Sequence, residues 1–393
     1  MSVVIFGDMF SFPEGNAATN RVYTFAKGFY ENNLRVHIVC FGNEYTSDGE
    51  GSLNGIFYHH PFSQERRNKY FVIRRLQKLL KYFKTFGLIR RLNKEEKIIA
   101  INILTNLFLT HIFAWFLAKI FRTKLIIECS EHPLRHFQNG TLKKKQGALK
   151  FFLESNLCDG IYCISRFLVD FHRDHGIKTH KLCLVPSTVD PGRFIKTGER
   201  PFPYDYIGYF GNLTFRRDNV DLLIKAFAEI AGNHPEIHLV LGGFCSENMK
   251  KQIEELIAQL DISSRVTLLE YLKREEIINY ILNSYVLVMV RSHDLESQAS
   301  YPSKLTEYLT TSKPVITVDV GEISDFITNN INAFLVEPGN VSDLVEKLEF
   351  VLNNYEAALQ VGMKGKELTN NVFNYNYQAK RMIEFMNSLS LNK

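Results

Sequence analysis

The fold is most constrained by Tyr301-Pro-Ser-Lys-Leu-Thr-Glu-Tyr-Leu-Thr-Thr-Ser-Lys-Pro-Val-Ile316, which joins a helix start to an apolar strand. A proline favours an extended backbone conformation in the residue before it and is well tolerated in the first turn of a helix. We therefore expect a helix to begin at Pro302. Lys304 and Glu307 then lie three apart on one face. The helix start and Lys304 favour phosphate, and an ionised Glu307 accepts from a diol such as a ribose. The alternative is a capped surface helix with an ordinary ion pair.

Short apolar runs alternate with helical patterns along most of the chain. Such alternation predicts parallel sheets with helices on both faces, and ligands at the carboxyl ends of the strands. The predicted strands are Val3–Ile5, Val36–Cys40, Ile98–Ile103, Lys124–Glu128, Gly160–Ile164, Leu182–Val185, Tyr206–Phe210, Ile237–Leu241, Val266–Leu269, Val286–Val290, Val315–Val318 and Ala333–Val336. Amphipathic helices are predicted at Val220–Ile230, Met249–Leu260 and Val341–Leu352.

Length and composition indicate an ordinary globular protein. The chain has 393 residues, 45% hydrophobic and 23% charged, which suits two or three domains. Its six cysteines form no CxxC pair, so we expect buried free thiols in a reducing compartment and no structural zinc.

We expect neither a leader nor a membrane span in the first third of the chain. Met1–Asp8 lacks a basic segment and is expected to form a first buried strand. The apolar stretch Ile98–Phe121 is interrupted by polar residues, so it is expected to be a strand followed by a buried helix.

A second candidate phosphate site follows the predicted strand Tyr206–Phe210. Gly211 allows a ligand close to the backbone, and Asp218 or Asn219 is expected to cap the next helix. The planar guanidinium of Arg217 suits phosphate oxygens; a solvated turn is the alternative.

Two weaker signals lie in the first half of the chain. Gly15 follows the first strand and permits an unusual turn against a phosphate or acceptor, although neither GxGxxG nor a P-loop lysine is present. His132 follows the strand Lys124–Glu128, where catalytic side chains collect; a structural histidine is the alternative.

A basic amphipathic segment covers residues 66–94. It contains eleven Lys or Arg and no Asp or Glu, which leaves a net charge of −6 for the rest of the chain. Val72, Ile73, Leu76, Leu79, Leu80 and Phe83 share one helical face. The pattern favours an anionic membrane surface over nucleic acid, because the aromatic residues share the apolar face. The alternative is a core-facing helix with a solvated basic face.

The quoted segment resembles the nucleotide-sugar signature of retaining family 4 glycosyltransferases, in which a proline, often a lysine, and a glutamate precede a strand. Pro302, Lys304, Glu307 and the run 312–316 match that signature. The runs 186–190 and 206–213 resemble the end of that family's first domain and the start of its second. Two positions depart from the pattern: Ala299 replaces a second glutamate, with Glu296 three residues earlier, and Asn212 replaces an arginine.

The resemblance implies the GT-B architecture, an α/β fold of two Rossmann-like domains facing across a cleft. We expect an N-terminal acceptor domain at residues 1–190, a C-terminal donor domain at 203–373, and a final helix at 374–393 that crosses back onto the first domain. The implied catalytic residues are His132, Arg217 and Lys304. The implied donor-binding residues are Gly15, Gly211, Asn212, Tyr301, Pro302, Ser303 and Glu307.

The implied activity is that of a hexosyltransferase of class EC 2.4. It moves a sugar, with retention of configuration, from a nucleotide diphosphate to a lipid-linked or glycan acceptor in bacterial surface polysaccharide assembly, such as capsule or O-antigen. We expect no metal and no cofactor beyond the nucleotide-sugar substrate, no nucleic-acid partner, and a cytoplasmic location on the inner face of the cell membrane. The alternatives are a GT-B nucleotide-sugar epimerase and, given Ala299 and Asn212, a non-catalytic nucleotide-sugar-binding protein.

Overall fold

The computed structural model describes residues 1–15, 17–42, 49–62, 68–133, 141–195, 198–269, 272 and 274–390. The chain divides into two compact units, which we call unit 1 and unit 2. Unit 1 contains Met1–Thr188 and Tyr375–Lys393, and unit 2 contains Val189–Asn374.

Unit 1 is built on an eight-stranded sheet of order β3-β4-β2-β1-β5-β6-β7-β8. All neighbouring strands are parallel except β3 and β4, which form an antiparallel pair. The strands are β1 Ser2–Gly7, β2 Arg35–Cys40, β3 Glu50–Leu53, β4 Ile56–His59, β5 Ile98–Leu104, β6 Lys124–Cys129, β7 Gly160–Cys163 and β8 Leu182–Leu184. The helices are α1 Ala17–Glu31, α2 Phe71–Glu95, α3 Phe108–Phe121, α4 Thr141–Leu157 and α5 Arg166–Asp174.

Unit 2 is built on a six-stranded parallel sheet of order β11-β10-β9-β12-β13-β14. The strands are β9 Asp205–Phe210, β10 Ile237–Gly242, β11 Val266–Leu269, β12 Val286–Met289, β13 Val315–Val318 and β14 Phe334–Val336. The helices are α6 Val220–Ile230, α7 Glu247–Gln259, α8 Arg274–Asn283, α9 Leu295–Ala299, α10 Ser303–Leu309, α11 Ile323–Phe326, α12 Val341–Asn353 and α13 Tyr355–Asn370.

The last helix, α14 (Tyr375–Ser388), belongs to unit 1 and packs on α1. A Cβ on Gly28 of α1 would lie 2.5 Å from the Ala379 methyl group, so the missing side chain lets the helices approach closely. Met382 and Met386 of α14 are buried in the hydrophobic core of unit 1. The chain therefore returns to its first unit after completing the second.

The cores of both units follow from apolar strands covered on both faces. Every residue of β1 is buried, as is every residue of β12 and β13, which is the pattern of a parallel sheet between helix layers. Five of the six cysteines are buried and none of the six forms a disulfide, as the sequence predicts. Within the described part of the chain, no helix is long and apolar enough to cross a membrane. The stretch Ile98–Phe121 forms β5 and α3, as predicted.

Candidate functional site

Two loops meet at the carboxyl ends of the neighbouring strands β9 and β10. The Gly211 N–H donates to the Gly242 carbonyl at 2.9 Å, and a Cβ on Gly243 would lie 1.9 Å from the Gly211 oxygen. Gly243 also has a φ of +138°, a conformation that side chains disfavour. Glycine at these positions therefore permits backbone contact at the sheet edge, where ligands bind in such folds.

Lys304 lies directly against this loop. Its Nζ would be 2.6 Å from a Cβ on Gly211, and it donates to Asp218 Oδ1 at 3.0 Å and to the Tyr209 hydroxyl at 2.5 Å. The Lys304 side chain is 19% exposed and the Asp218 side chain 12% exposed. The ammonium group is therefore fixed in place, with most of its chain out of water.

Asp218 holds Lys304 and does not cap α6. Its Oδ2 accepts from the Thr214 hydroxyl at 2.9 Å, while Asn219 at the start of α6 makes no side-chain cap. The expected capping role of Asp218 or Asn219 is therefore wrong. Burial alone would raise the pKa of Asp218, but Lys304 holds that pKa below its ordinary value.

Two arginines extend the positive charge around Lys304. Burial lowers the pKa of Lys304, and the charges of Arg291 and Arg217 lower it further. The Asp218 carboxylate acts in the opposite direction and raises this pKa. Arg291 is 7% exposed and donates to the Ser297 and Ser300 hydroxyls at 2.9 and 2.7 Å. Three cations thus lie within electrostatic range of one another, an arrangement that favours a bound anion.

The helix beside Lys304 begins one residue later than expected. Pro302 is extended, with φ −73° and ψ 122°, and precedes Ser303, the first residue of α10. Ser303, Lys304 and Glu307 share the first two turns, as predicted. The Tyr301 side chain is 3% exposed and packs on Phe326 and Phe373. The place of Tyr301 among the donor-binding residues stays a prediction.

The two departures from the family pattern have distinct surroundings. Asn212 is exposed beside Gly211. Ala299 is fully buried at the end of α9, whereas Glu296 on the same helix lies 3.7 Å from the Arg217 guanidinium. Glu296, and not residue 299, therefore brings a carboxylate to this cluster.

Gly15 and His132 belong to unit 1, whereas Lys304 and its neighbours described above belong to unit 2. A Cβ on Gly15 would lie 2.2 Å from the Thr19 hydroxyl, which requires glycine in this turn. His132 is 8% exposed, its ring lies 4.7 Å from that of Phe171, and burial lowers its pKa.

Several buried polar residues in the two units were not predicted from the sequence. Arg291 and Tyr209 were not singled out, although Arg291 follows β12 at the carboxyl edge, a position that signals function. In unit 1, reasoning also missed the buried pair Arg21–Glu128, whose Nε–Oε1 distance is 2.6 Å. Arg21 further donates to the Val185 and Pro186 carbonyls at 2.8 and 2.9 Å. Among the described residues, no group of His, Cys, Asp or Glu could hold a metal ion.

Two family models match consecutive parts of the chain. The model described as Glycosyltransferase Family 4 matches residues 18–193, and Glycosyl transferases group 1 matches residues 196–368. An uncharacterized glycosyltransferase of Methanocaldococcus jannaschii is 26% identical over 212 residues. This alignment spans 54% of either protein, so about half the length of that relative is matched.

Solved structures share the fold over nearly the whole chain. Sucrose-phosphate synthase from Thermosynechococcus elongatus has a TM-score of 0.75 at 15% identity, with 98% of both chains covered. Anabaena HepE in complex with UDP-glucose has a TM-score of 0.69 at 14% identity, covering 99% of this chain and all of the other. The architecture is thus that of GT-B glycosyltransferases, with two Rossmann-like domains.

Proposed function

Because the chain belongs to the GT-B glycosyltransferases, we propose that it moves a sugar, with retention of configuration, from a nucleotide diphosphate donor to an acceptor. The observation that carries the proposal is the group of Lys304, Arg217 and Arg291 at the carboxyl edge of the unit 2 sheet. In that position the cations match the charge of a diphosphate, and the glycine at residue 211 lets the Lys304 ammonium lie against the backbone of the loop.

In this mechanism the leaving diphosphate is stabilised by cations that are fixed before the reaction. Lys304 is held by Asp218, and Arg291 is held by two serines, so neither must reorganise as negative charge develops. The start of α10 and Ser303 add hydrogen-bond donors beside Lys304, and Glu307 accepts from the ribose hydroxyls. In unit 1, His132 is the proposed catalytic residue and Gly15 the proposed donor-binding residue.

We assign the acceptor to a membrane-bound glycan pathway, with a lipid-linked or glycan acceptor in surface polysaccharide assembly. The support is α2, whose N-terminal half carries large apolar side chains that are 39% to 74% exposed. They are Phe71, Val72, Ile73, Leu76, Leu79, Leu80 and Phe83. Only the C-terminal part of α2 is packed in the core, through residues such as Leu88 and Leu92. This exposure disagrees with a core-facing helix.

The basic side chains beside this apolar face are mostly exposed, which suits an anionic membrane surface. Lys81 is the exception. It is 6% exposed, donates to the Gly42 carbonyl at 2.9 Å and lies 4.1 Å from the centre of the Phe41 ring. Lys81 is therefore a structural residue, while Arg75, Lys78 and Lys84 are the exposed cations. Arg66 and Arg67 lie outside the described residues.

A panel of UDP-, GDP- and other nucleotide sugars tests the donor assignment by thermal stabilisation. A ligand at 100 times its Kd stabilises the folded state by about 2.7 kcal/mol, so a true donor should raise the melting temperature well above the effect of its sugar alone. Transfer is then assayed with a lipid-linked acceptor. Interconversion of the donor sugar without acceptor would favour the epimerase, and binding without turnover would favour a non-catalytic protein.

A further inference from the structure

The helices α2, α3 and α4 form one layer on the sheet of unit 1. They connect β4 to β5, β5 to β6 and β6 to β7, all in the same direction across the sheet, and such crossovers are right-handed, so the three helices lie on one face. The rings of Phe86 in α2 and Phe121 in α3 lie 5.7 Å apart, and His111 Nδ1 of α3 lies 3.8 Å from Glu154 Oε1 of α4. The helix α1 connects β1 to β2 in the opposite direction and therefore lies on the other face, with α14 packed on it.

This layer exposes large apolar side chains beyond those of α2. On α3 and α4 they are 45% to 70% exposed, and they are Leu109, Phe116, Ile120, Leu149 and Phe152. Spacings of seven and four on α3, and of three on α4, place each set on one side of its helix. Other apolar residues, such as Leu117 and Phe151, are buried on the inner sides of the same helices. The exposed sets therefore face away from the sheet, and a contiguous apolar surface of this kind marks an interaction site.

The charges on the outward side of α3 and α4 have one sign. The sequence of α3 contains Lys119 and no acidic residue, and that of α4 contains four lysines and the single acid Glu154. The Glu154 side chain is 15% exposed, lies on the side of α4 that meets α3, and forms an ion pair of 3.2 Å with Lys150. In contrast, Lys119, Lys144 and Lys145 are exposed. The outward side of the two helices therefore combines apolar side chains with positive charge.

We propose that α3 and α4 join α2 in one surface that lies on an anionic lipid bilayer, with α1 and α14 facing away from the lipid. The inference rests on the membrane assignment of α2 proposed above and extends it to the whole helix layer. The apolar side chains enter the headgroup boundary by about 5–10 Å, and the lysines contact anionic headgroups. A second copy of the chain fits this surface less well, because two faces with the same positive charge repel each other.

Trp115 is the single tryptophan of the chain and lies on α3 beside Phe116, so its fluorescence reports on this surface. We would mix the full-length protein with vesicles of phosphatidylcholine and phosphatidylglycerol, with and without phosphatidylcholine that is brominated in the upper acyl chain. We expect a blue shift of the emission and quenching by the brominated lipid. Vesicle binding with neither response would overturn the inference and leave the assignment of α2 in place, whereas no binding to these vesicles would overturn both.

A quadruple variant tests the apolar contacts while it keeps every lysine and all of α2. It is Leu109→Gln/Phe116→Gln/Leu149→Gln/Phe152→Gln, and in co-sedimentation its affinity for the anionic vesicles should fall at least about 100-fold. All four side chains are exposed, so the melting temperature should change little.

The matched control is Ile331→Gln/Met363→Gln, which removes two apolar side chains of unit 2 that are 50% and 51% exposed and should bind vesicles as the wild type does. Wild-type affinity in the quadruple variant would overturn the inference. A lipid-free dimer of the wild type that dissociates in the quadruple variant would also overturn it, because the surface would then belong to a contact between two copies.

Discussion

The two units share one architecture but differ in the charge at the carboxyl edges of their sheets. In unit 2, Lys304, Arg217 and Arg291 form a group of cations with two close carboxylates, Asp218 beside Lys304 and Glu296 beside Arg217. In unit 1, the buried Arg21 is fully engaged by Glu128 and two backbone carbonyls. The contrast indicates that the position of fixed charge, and not the fold, distinguishes the unit that we propose to bind a diphosphate.

A second difference concerns exposed apolar side chains. Unit 1 concentrates them on α2, next to basic residues, whereas unit 2 shows single exposed residues such as Ile331 and Met363. Scattered apolar residues are normal, but a contiguous set marks an interaction surface. The exposed apolar face of α2 therefore supports the proposal that unit 1 contacts a membrane surface.

The largest expected effect is a loss of stability of unit 1 in mild acid. Burial lowers the pKa of His37, His111 and His172 from 6.5 to about 4, so the unfolded chain binds protons first. Their stabilisation is complete above pH 6.5 and lost by about pH 4, at most about 3 kcal/mol for each. Urea unfolding across this window measures the change, and hydrogen exchange assigns it to a unit. Loss of protection in unit 2 before unit 1 would contradict the comparison.

The next effect concerns α2. Replacing Arg75, Lys78 and Lys84 with glutamine should weaken binding to anionic vesicles by more than about 100-fold, since each basic residue near headgroups contributes about 1 kcal/mol. Co-sedimentation with anionic and neutral vesicles at rising salt measures this, and wild-type binding should fall as salt screens the charges. Transfer to a soluble acceptor analogue should persist. Equal binding to both vesicle types would instead favour the alternative, in which the basic face of α2 is solvated and does not contact a membrane.

At the unit 2 edge, Lys304→Ala and Arg217→Ala should each lower kcat/KM by about 100-fold, because each removes a charge that faces the leaving diphosphate. Lys225→Ala is the matched control, since Lys225 lies on α6 and forms an ion pair with Asp221, one turn away on the same helix. Steady-state kinetics measures kcat/KM for the folded site variants and for the control. If both site variants retain the activity of the control, the assignment of this edge is wrong.

The smallest expected effect is that of His132→Phe, which keeps an aromatic ring against Phe171. Turnover should fall about tenfold through the loss of one polar contact to the sugar, with little change in melting temperature. A fall in melting temperature with normal activity per folded molecule would instead assign His132 a structural role.

Much of the fold was predictable because a buried parallel strand is a continuous apolar run. The predicted strand Tyr206–Phe210 and helix Val220–Ile230 coincide with β9 and α6 within one residue. The antiparallel pair β3 and β4 was missed, since Glu50–Leu53 contains polar and glycine residues and lies at the edge of the sheet. Local pattern predicts where a strand runs, but it gives little signal for short edge strands.

The site was less predictable, because its contacts join residues that are distant in sequence. Lys304 was recognisable, but its partner Asp218 is 86 residues away and has the local sequence of a helix cap. For Arg291, the sequence offered one indication, which is its position directly after a predicted strand. Likewise, nothing in the periodicity of α2 showed that Lys81 is buried over Phe41 while its neighbours are exposed.

The central claim is that unit 2 recognises a diphosphate through Lys304. Calorimetric titration tests it directly by comparing UDP and GDP with their nucleosides, in the wild type and in Lys304→Gln/Asp218→Asn, which removes both members of the ion pair. We predict that one diphosphate binds at least about 100-fold more tightly than its nucleoside in the wild type, and that the double variant loses most of this difference. Equal binding of nucleoside and diphosphate by the wild type, or an unchanged difference in the double variant, would contradict the claim.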